Sequence, residues 1–133
     1  MRQAAHPGLY DVDSHVPTLR GTRCNRCGAT SFPALGIGCE VCGADESSLE
    51  PITLNATGVL HSVATVHLHH GHDIEAPFAI GEIQLDEGPL IRATMSQLLG
   101  LESIGQRVDA AWFTLRTDDD GLDVVEPRFD VAS

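Results

Sequence analysis

The chain is predicted to be all-β: a small N-terminal ribbon built around a metal, followed by a five-stranded barrel. Three observations in its 133 residues carry that prediction. Four cysteines, the only ones present, stand in two near-copies of one motif, Cys24-Asn25-Arg26-Cys27-Gly28-Ala29 and Cys39-Glu40-Val41-Cys42-Gly43-Ala44. From Gly58 onward, Val, Ile and Leu recur with the period of two that marks a strand with one buried face. Turn signals separate these runs, among them Asp86-Glu87-Gly88, where glycine supplies the positive φ of a hairpin.

Residues 1–18 hold two prolines, Pro7 and Pro17, and no periodicity. They are read as an arm, either a disordered tail or a partly ordered segment with a turn or two of helix, for which Tyr10, Val12 and Leu19 are the anchors.

Residues 19–49 are assigned to the ribbon. Phe32, Leu35, Ile37 and Val41 are its only large apolar residues between the first cysteine and the last, too few for a core, and a unit that small needs a metal or disulfides to fold. Residues 1–10 contain no apolar signal-peptide run and no stretch has the length of a membrane span, so a cytoplasmic location is expected, where thiols stay reduced. Two C-x-x-C pairs separated by eleven residues then place four thiolates around one soft cation. The expected cofactor is one structural Zn2+ held by Cys24, Cys27, Cys39 and Cys42. An electron-carrying iron is the rival, since a tetrahedral all-sulfur site suits either metal. The glycine after each pair lets the backbone turn tightly beneath the metal. Phe32-Pro33 lies between the pairs, where an aromatic can cover the site, and residues 43–51 read as a polar connector.

Residues 50–133 are assigned to the barrel. Strands are expected over 58–70, with Leu60, Ser62, Ala64, Val66 and Leu68 on one face, then over 78–85, 89–95, 107–116 and 122–126, with 127–131 as an ending. A short helix or packed loop is expected over 96–105, from Leu98, Leu99, Leu101 and Ile104. Five strands, a hairpin between the second and third and a helical piece before the fourth fit a Greek-key barrel of the OB type; periodicity alone also admits another small barrel.

Charge limits the partners. Nineteen acidic residues face eight basic ones, all arginine, for a formal charge of −11. Such a chain is a poor match for a nucleic-acid backbone or an anionic membrane. Arg20, Arg23 and Arg26 crowd the first cysteine pair and Arg92 sits in a strand; they are candidate contacts for an anionic ligand or an acidic partner surface, against the plainer role of balancing a doubly negative metal centre. His67, His69, His70 and His72 invite a metal reading, but an exposed strand end and loop explains them more simply. Asp118, Asp119 and Asp120 lack the ligand ladder of a calcium loop. No nucleophile stands in a glycine-framed elbow, and no glycine loop is long enough to cradle phosphate.

In order and spacing, several segments resemble those of a known family, the rubredoxin-like zinc-ribbon/OB-fold accessory proteins associated with acyl-CoA metabolism. They are Leu19-Arg20-Gly21 ahead of Cys24-x-x-Cys27-Gly28; Phe32-Pro33; Cys39-x-x-Cys42-Gly43; Gly58-Val59-Leu60-His61-Ser62 with Thr65-Val66; Pro77-Phe78-Ala79-Ile80 with Glu82-Ile83-Gln84-Leu85-Asp86-Glu87-Gly88; Gly105 with Val108; and Pro127 with Phe129. The likeness covers residues 19–131. Ala34-Leu35 and Glu40 depart from it, standing where members often carry a proline-arginine pair and a knuckle proline. The resemblance implies a non-catalytic subunit that binds a thiolase-like protein, a thiolase or a sterol-carrier-type retro-aldolase, and completes or stabilises its acyl-CoA site in a hetero-oligomer. On that reading Arg20, Arg23, Arg26 and Arg92 are the CoA or partner contacts, and Trp112, Phe113 and the run 98–101 are candidates for the partner face, unless they are core. Three other readings stay open: a nucleic-acid-binding zinc-ribbon/OB protein, a rubredoxin-like redox carrier and a stand-alone acyl-CoA-binding protein.

Overall fold

The structure, a computed structural model, describes residues 2–69 and 75–132. Its strands are β1 (Arg2–Ala4), β2 (Thr18–Cys24), β3 (Thr30–Ser31), β4 (Leu49–Asn55), β5 (Thr57–Val66), β6 (Phe78–Leu85), β7 (Leu90–Thr94), β8 (Arg107–Thr117) and β9 (Asp123–Val131). Helical structure among the described residues is limited to two single 3₁₀ turns, Glu46–Ser48 and Leu101–Ser103. The second is all that forms of the helical piece expected over 96–105.

β2 pairs antiparallel with β3 and, along its whole length, with β4, making the ribbon sheet. β4 begins inside the expected polar connector. Its sequence, Leu49-Glu50-Pro51-Ile52-Thr53-Leu54-Asn55, alternates only at Ile52 and Leu54, with Leu49 out of step opposite Cys24, too short a run to stand out. Only Ala56, itself buried, separates β4 from β5.

The second sheet runs β1-β9-β8-β5-β6-β7. β5, β6 and β7 form a meander, and β8 returns to lie beside β5, the Greek-key order. The ring is drawn closed just after β7, where Met95 bridges Phe129 of β9 in parallel and the Ser96 N–H donates to the Phe129 carbonyl at 2.8 Å. This is the OB-type barrel that the strand order predicts. Its core is formed by Leu54, Leu60, Ile83, Leu85, Met95, Val108 and Phe129, each under 2% exposed or at that level. Burial of a side chain of this kind contributes about 1.5–3 kcal/mol.

Three expectations are corrected. The single-face reading of the first barrel strand fails at a β-bulge between Leu60 and Ser62. The extra residue, His61, shifts the alternation, so Val63 packs on the core while Ala64 is exposed. That strand also ends at Val66; Leu68 is exposed, and the expected loop at 71–73 lies outside the described residues. The last strand does not stop before Pro127 but runs from Asp123 through it to Val131. β1 pairs only with Asp123–Val125, so at Pro127 the strand has β8 on one side and no named strand on the other, where a missing N–H is tolerated.

The arm is neither a tail nor a helical turn. β1 adds parallel to β9, and Tyr10 is buried in the barrel core, its hydroxyl donating to the Val125 carbonyl at 2.8 Å. Trp112 holds the arm from outside: its ring lies 5.7 Å from that of Tyr10, its indole N–H donates to the Ser14 carbonyl at 3.0 Å, and the Arg2 guanidinium stacks on it at 4.9 Å.

Candidate metal centre

Each cysteine pair forms the same turn. In the first, Gly28 at φ 79° donates its N–H to the Cys24 carbonyl at 2.8 Å, and the Cys24 N–H donates to the Ala29 carbonyl at 2.9 Å. In the second, Gly43 at φ 77° donates to the Cys39 carbonyl at 3.1 Å, and Cys39 donates to the Ala44 carbonyl at 2.8 Å. The left-handed region that both glycines occupy is costly for a residue with a Cβ, which is why the two motifs share a glycine. β2 ends on Cys24, with Cys27 in the turn after it, and a Gly38–Asp45 bridge closes the second pair.

The turns bring the four sulfurs within 4.8 Å of one another. Cys24 and Cys42 are 3.7 Å apart, and Cys27 and Cys39 are 3.5 Å apart. A tetrahedral cation at about 2.3 Å from each sulfur sets the S–S edge near 3.8 Å. A disulfide needs about 2.05 Å. The four cysteines are free, and the sulfur spacing fits shared coordination. Cys24 and Cys39 are buried and Cys27 and Cys42 exposed, so the centre sits at the surface with one side on Ala29, Ala44 and Leu49.

The thiols are already polarised. The Cys42 and Val41 N–H groups point at the Cys39 sulfur from 3.5 and 3.4 Å and hold that thiol down to about 6. The Ala29 N–H pulls the Cys27 thiol down too, but burial and the neighbouring sulfurs outweigh it and push that thiol up to about 12. Protein groups alone cannot ionise four adjacent thiols together; a divalent cation removes the repulsion. The four sulfurs are placed where they could hold one metal ion together.

Phe32 does not cover it. The ring packs on the barrel core and lines an apolar pocket of about 180 Å³ with Tyr10, Leu19, Ile91 and Phe129. Arg92 stands at the rim of that pocket, 79% exposed, its Nε 3.3 Å from Glu82. Arg20 is held by Asp11. Arg23 and Arg26 are exposed and make no ion pair among the described residues. The candidate partner face divides: Trp112 is committed to the arm, whereas Leu98, Leu101 and Phe113 are exposed. His67 and His69 are exposed, His69 meeting Phe78 edge-on at 5.2 Å, and His70 and His72 lie outside the described residues.

One buried charged group has no counterpart in the sequence reading. Arg128, on β9, donates from Nε to Glu126 at 2.9 Å and lies over the Phe113 ring at 3.6 Å. The signal was present in the i, i+2 spacing of Glu126 and Arg128, which puts both on one face of a strand.

Comparison with known proteins identifies both modules. Residues 16–48 match the ChsH2 rubredoxin-like zinc ribbon domain, and residues 52–113 match the ChsH2 C-terminal OB-fold domain. The chain is 29% identical over 126 residues to the benzoylsuccinyl-CoA thiolase subunit BbsA of Thauera aromatica, covering 93% of this chain and 85% of that protein. The corresponding subunit of Geobacter metallireducens is 22% identical over 126 residues, covering 93% and 83%. Among solved structures, the fold is similar to a chain of the Ltp2-ChsH2(DUF35) aldolase, with a TM-score of 0.64, 21% identity and coverage of 86% and 85%.

Proposed function

From the premise that the chain belongs to the ChsH2 family of zinc-ribbon/OB-fold proteins, we propose that it is the accessory subunit of a thiolase-like acyl-CoA enzyme. The observation that carries this is the likeness to the benzoylsuccinyl-CoA thiolase subunit, which spans both modules rather than one. The chain is non-catalytic: it completes or stabilises the acyl-CoA site of its partner in a cytoplasmic hetero-oligomer. Its metal is one structural Zn2+ on Cys24, Cys27, Cys39 and Cys42, because four sulfur ligands leave no open position for water or substrate. Arg23 and Arg26, exposed beside the metal, meet the CoA phosphates or an acidic partner surface. Arg20 and Arg92 join them by exchanging Asp11 and Glu82 for the incoming anion.

Co-expression with a thiolase-like protein from the same genome, followed by size exclusion and assay of acyl-CoA cleavage or condensation, tests the reading. A stable complex whose activity falls at least tenfold without this chain is expected. If no such protein co-purifies with it and none loses activity in its absence, the assignment fails. Metal analysis of the purified chain is expected to give one zinc and no visible absorption.

A further inference from the structure

Arg128 belongs neither to the metal centre nor to the arginines assigned to CoA. Its side chain is only 8% exposed, and that of its partner Glu126 is 17% exposed. Glu126 takes the Nε edge of the guanidinium, and Phe113 takes one face. The two terminal nitrogens have no hydrogen-bond partner among the described residues, although no buried side-chain nitrogen is left unsatisfied, so they open to the space beside them. That space is a cleft of about 430 Å³ at one end of the barrel, walled by Phe78, Leu98 and Phe113, by the polar Ser96 and Thr114, and by the carboxylate residue Glu75.

A cleft of this size is within the range of small-molecule sites. Its walls specify the occupant. Two parallel N–H donors at the end of a fixed guanidinium match the two oxygens of a carboxylate. An occupant that displaced the water in this cleft without offering acceptors would leave the end of Arg128 unpaired. Glu75, Glu126 and a net charge of −11 disfavour a doubly charged phosphate more than a singly charged carboxylate. Leu98, 52% exposed, and Phe113, 37% exposed, offer apolar surface to the rest of the molecule.

We propose that this cleft binds a small carboxylate with an aryl or branched-alkyl body, its oxygens on the terminal nitrogens of Arg128 and its body between Phe78 and Leu98. The site is formed within one chain and does not depend on the subunit assignment.

The test is titration of the full-length, metal-loaded chain with phenylacetate and with neutral phenylacetamide, read by amide chemical shifts. Saturable shifts at Ser96, Phe113 and Thr114 are expected with phenylacetate, and at least about tenfold weaker binding with the amide, the loss of a charged hydrogen-bonded pair. Arg128→Lys keeps the charge and removes the fork, and is expected to weaken phenylacetate about tenfold. Since that change also disturbs Glu126, Leu98→Asp is the second variant. It places a repelling carboxylate on an exposed wall, and is expected to weaken phenylacetate at least tenfold with an unchanged thermal midpoint. The proposal is overturned if phenylacetate does not bind saturably, if phenylacetamide binds as well, or if folded Leu98→Asp binds as tightly as the parent.

Discussion

At the residue scale the cysteines are not equivalent, because two are buried and two exposed. Serine in place of Cys24, 1% exposed, removes a ligand and leaves a hydroxyl where nothing replaces water. Cys24→Ser is expected to lose metal affinity by more than about 100-fold and to melt at a lower temperature than Cys27→Ser, which loses the same ligand type at the surface. Metal content per chain and thermal melts compare the two. A second prediction concerns the Asp86–Arg107 pair, where both terminal nitrogens of Arg107 donate, at 2.8 and 2.7 Å. The guanidinium holds the Asp86 carboxyl below its usual value. A lowered carboxylate contributes stability above its unfolded pKa, and that contribution is lost as pH falls through the lower folded value. Asp86→Asn should therefore melt slightly below the parent at pH 7, with the gap closing as the pH drops below about 4. The pair is half exposed, so the gap is small.

At the scale of the element, the tightest constraint is Gly58 on β5. A Cβ there would stand 2.1 Å from the Gln84 carbonyl oxygen on β6. Since backbone, not a movable side chain, is in the way, Gly58→Ala is expected to cost about 1–3 kcal/mol, measured by urea denaturation. The same pair of strands shows what sequence discloses. Phe78–Leu85 coincides with its expected span, because strict alternation meets a glycine hairpin at its end. The bulge at His61 was invisible, since nothing in Leu60-His61-Ser62 marks an unpaired residue, and beyond it Val63 rather than Ala64 packs on the core. β1 and β4 were missed for a different reason. β1 is three residues long and half exposed, β4 alternates only at Ile52 and Leu54, and partners far along the chain, β9 and β2, make them strands. That the four cysteines come together was legible outright, because it is written in a spacing of two residues; the burial of Arg128 was not, because the Phe113 ring it lies over comes from a neighbouring strand.

Over the whole molecule, the arm is part of the barrel rather than an attachment to it. Tyr10 fills core space and satisfies the Val125 carbonyl. Tyr10→Phe is expected to cost about 1 kcal/mol through that carbonyl, and Tyr10→Ala about 3–5 kcal/mol through the cavity. Trp112, stacked on Tyr10 and bonded to Ser14, reports the difference: its fluorescence should shift to the red in Tyr10→Ala and stay in place in Tyr10→Phe. The other join has no spare length. β4 passes to β5 through Ala56 alone, whose carbonyl is tied to the Ala110 N–H at 3.0 Å. A neighbouring protein that grips the cysteine knuckles and the barrel mouth together meets two handles of one rigid bracket. Its second grip forms without the loss of freedom that a swinging tether would impose, so even modest contacts at each handle add up to a firm hold.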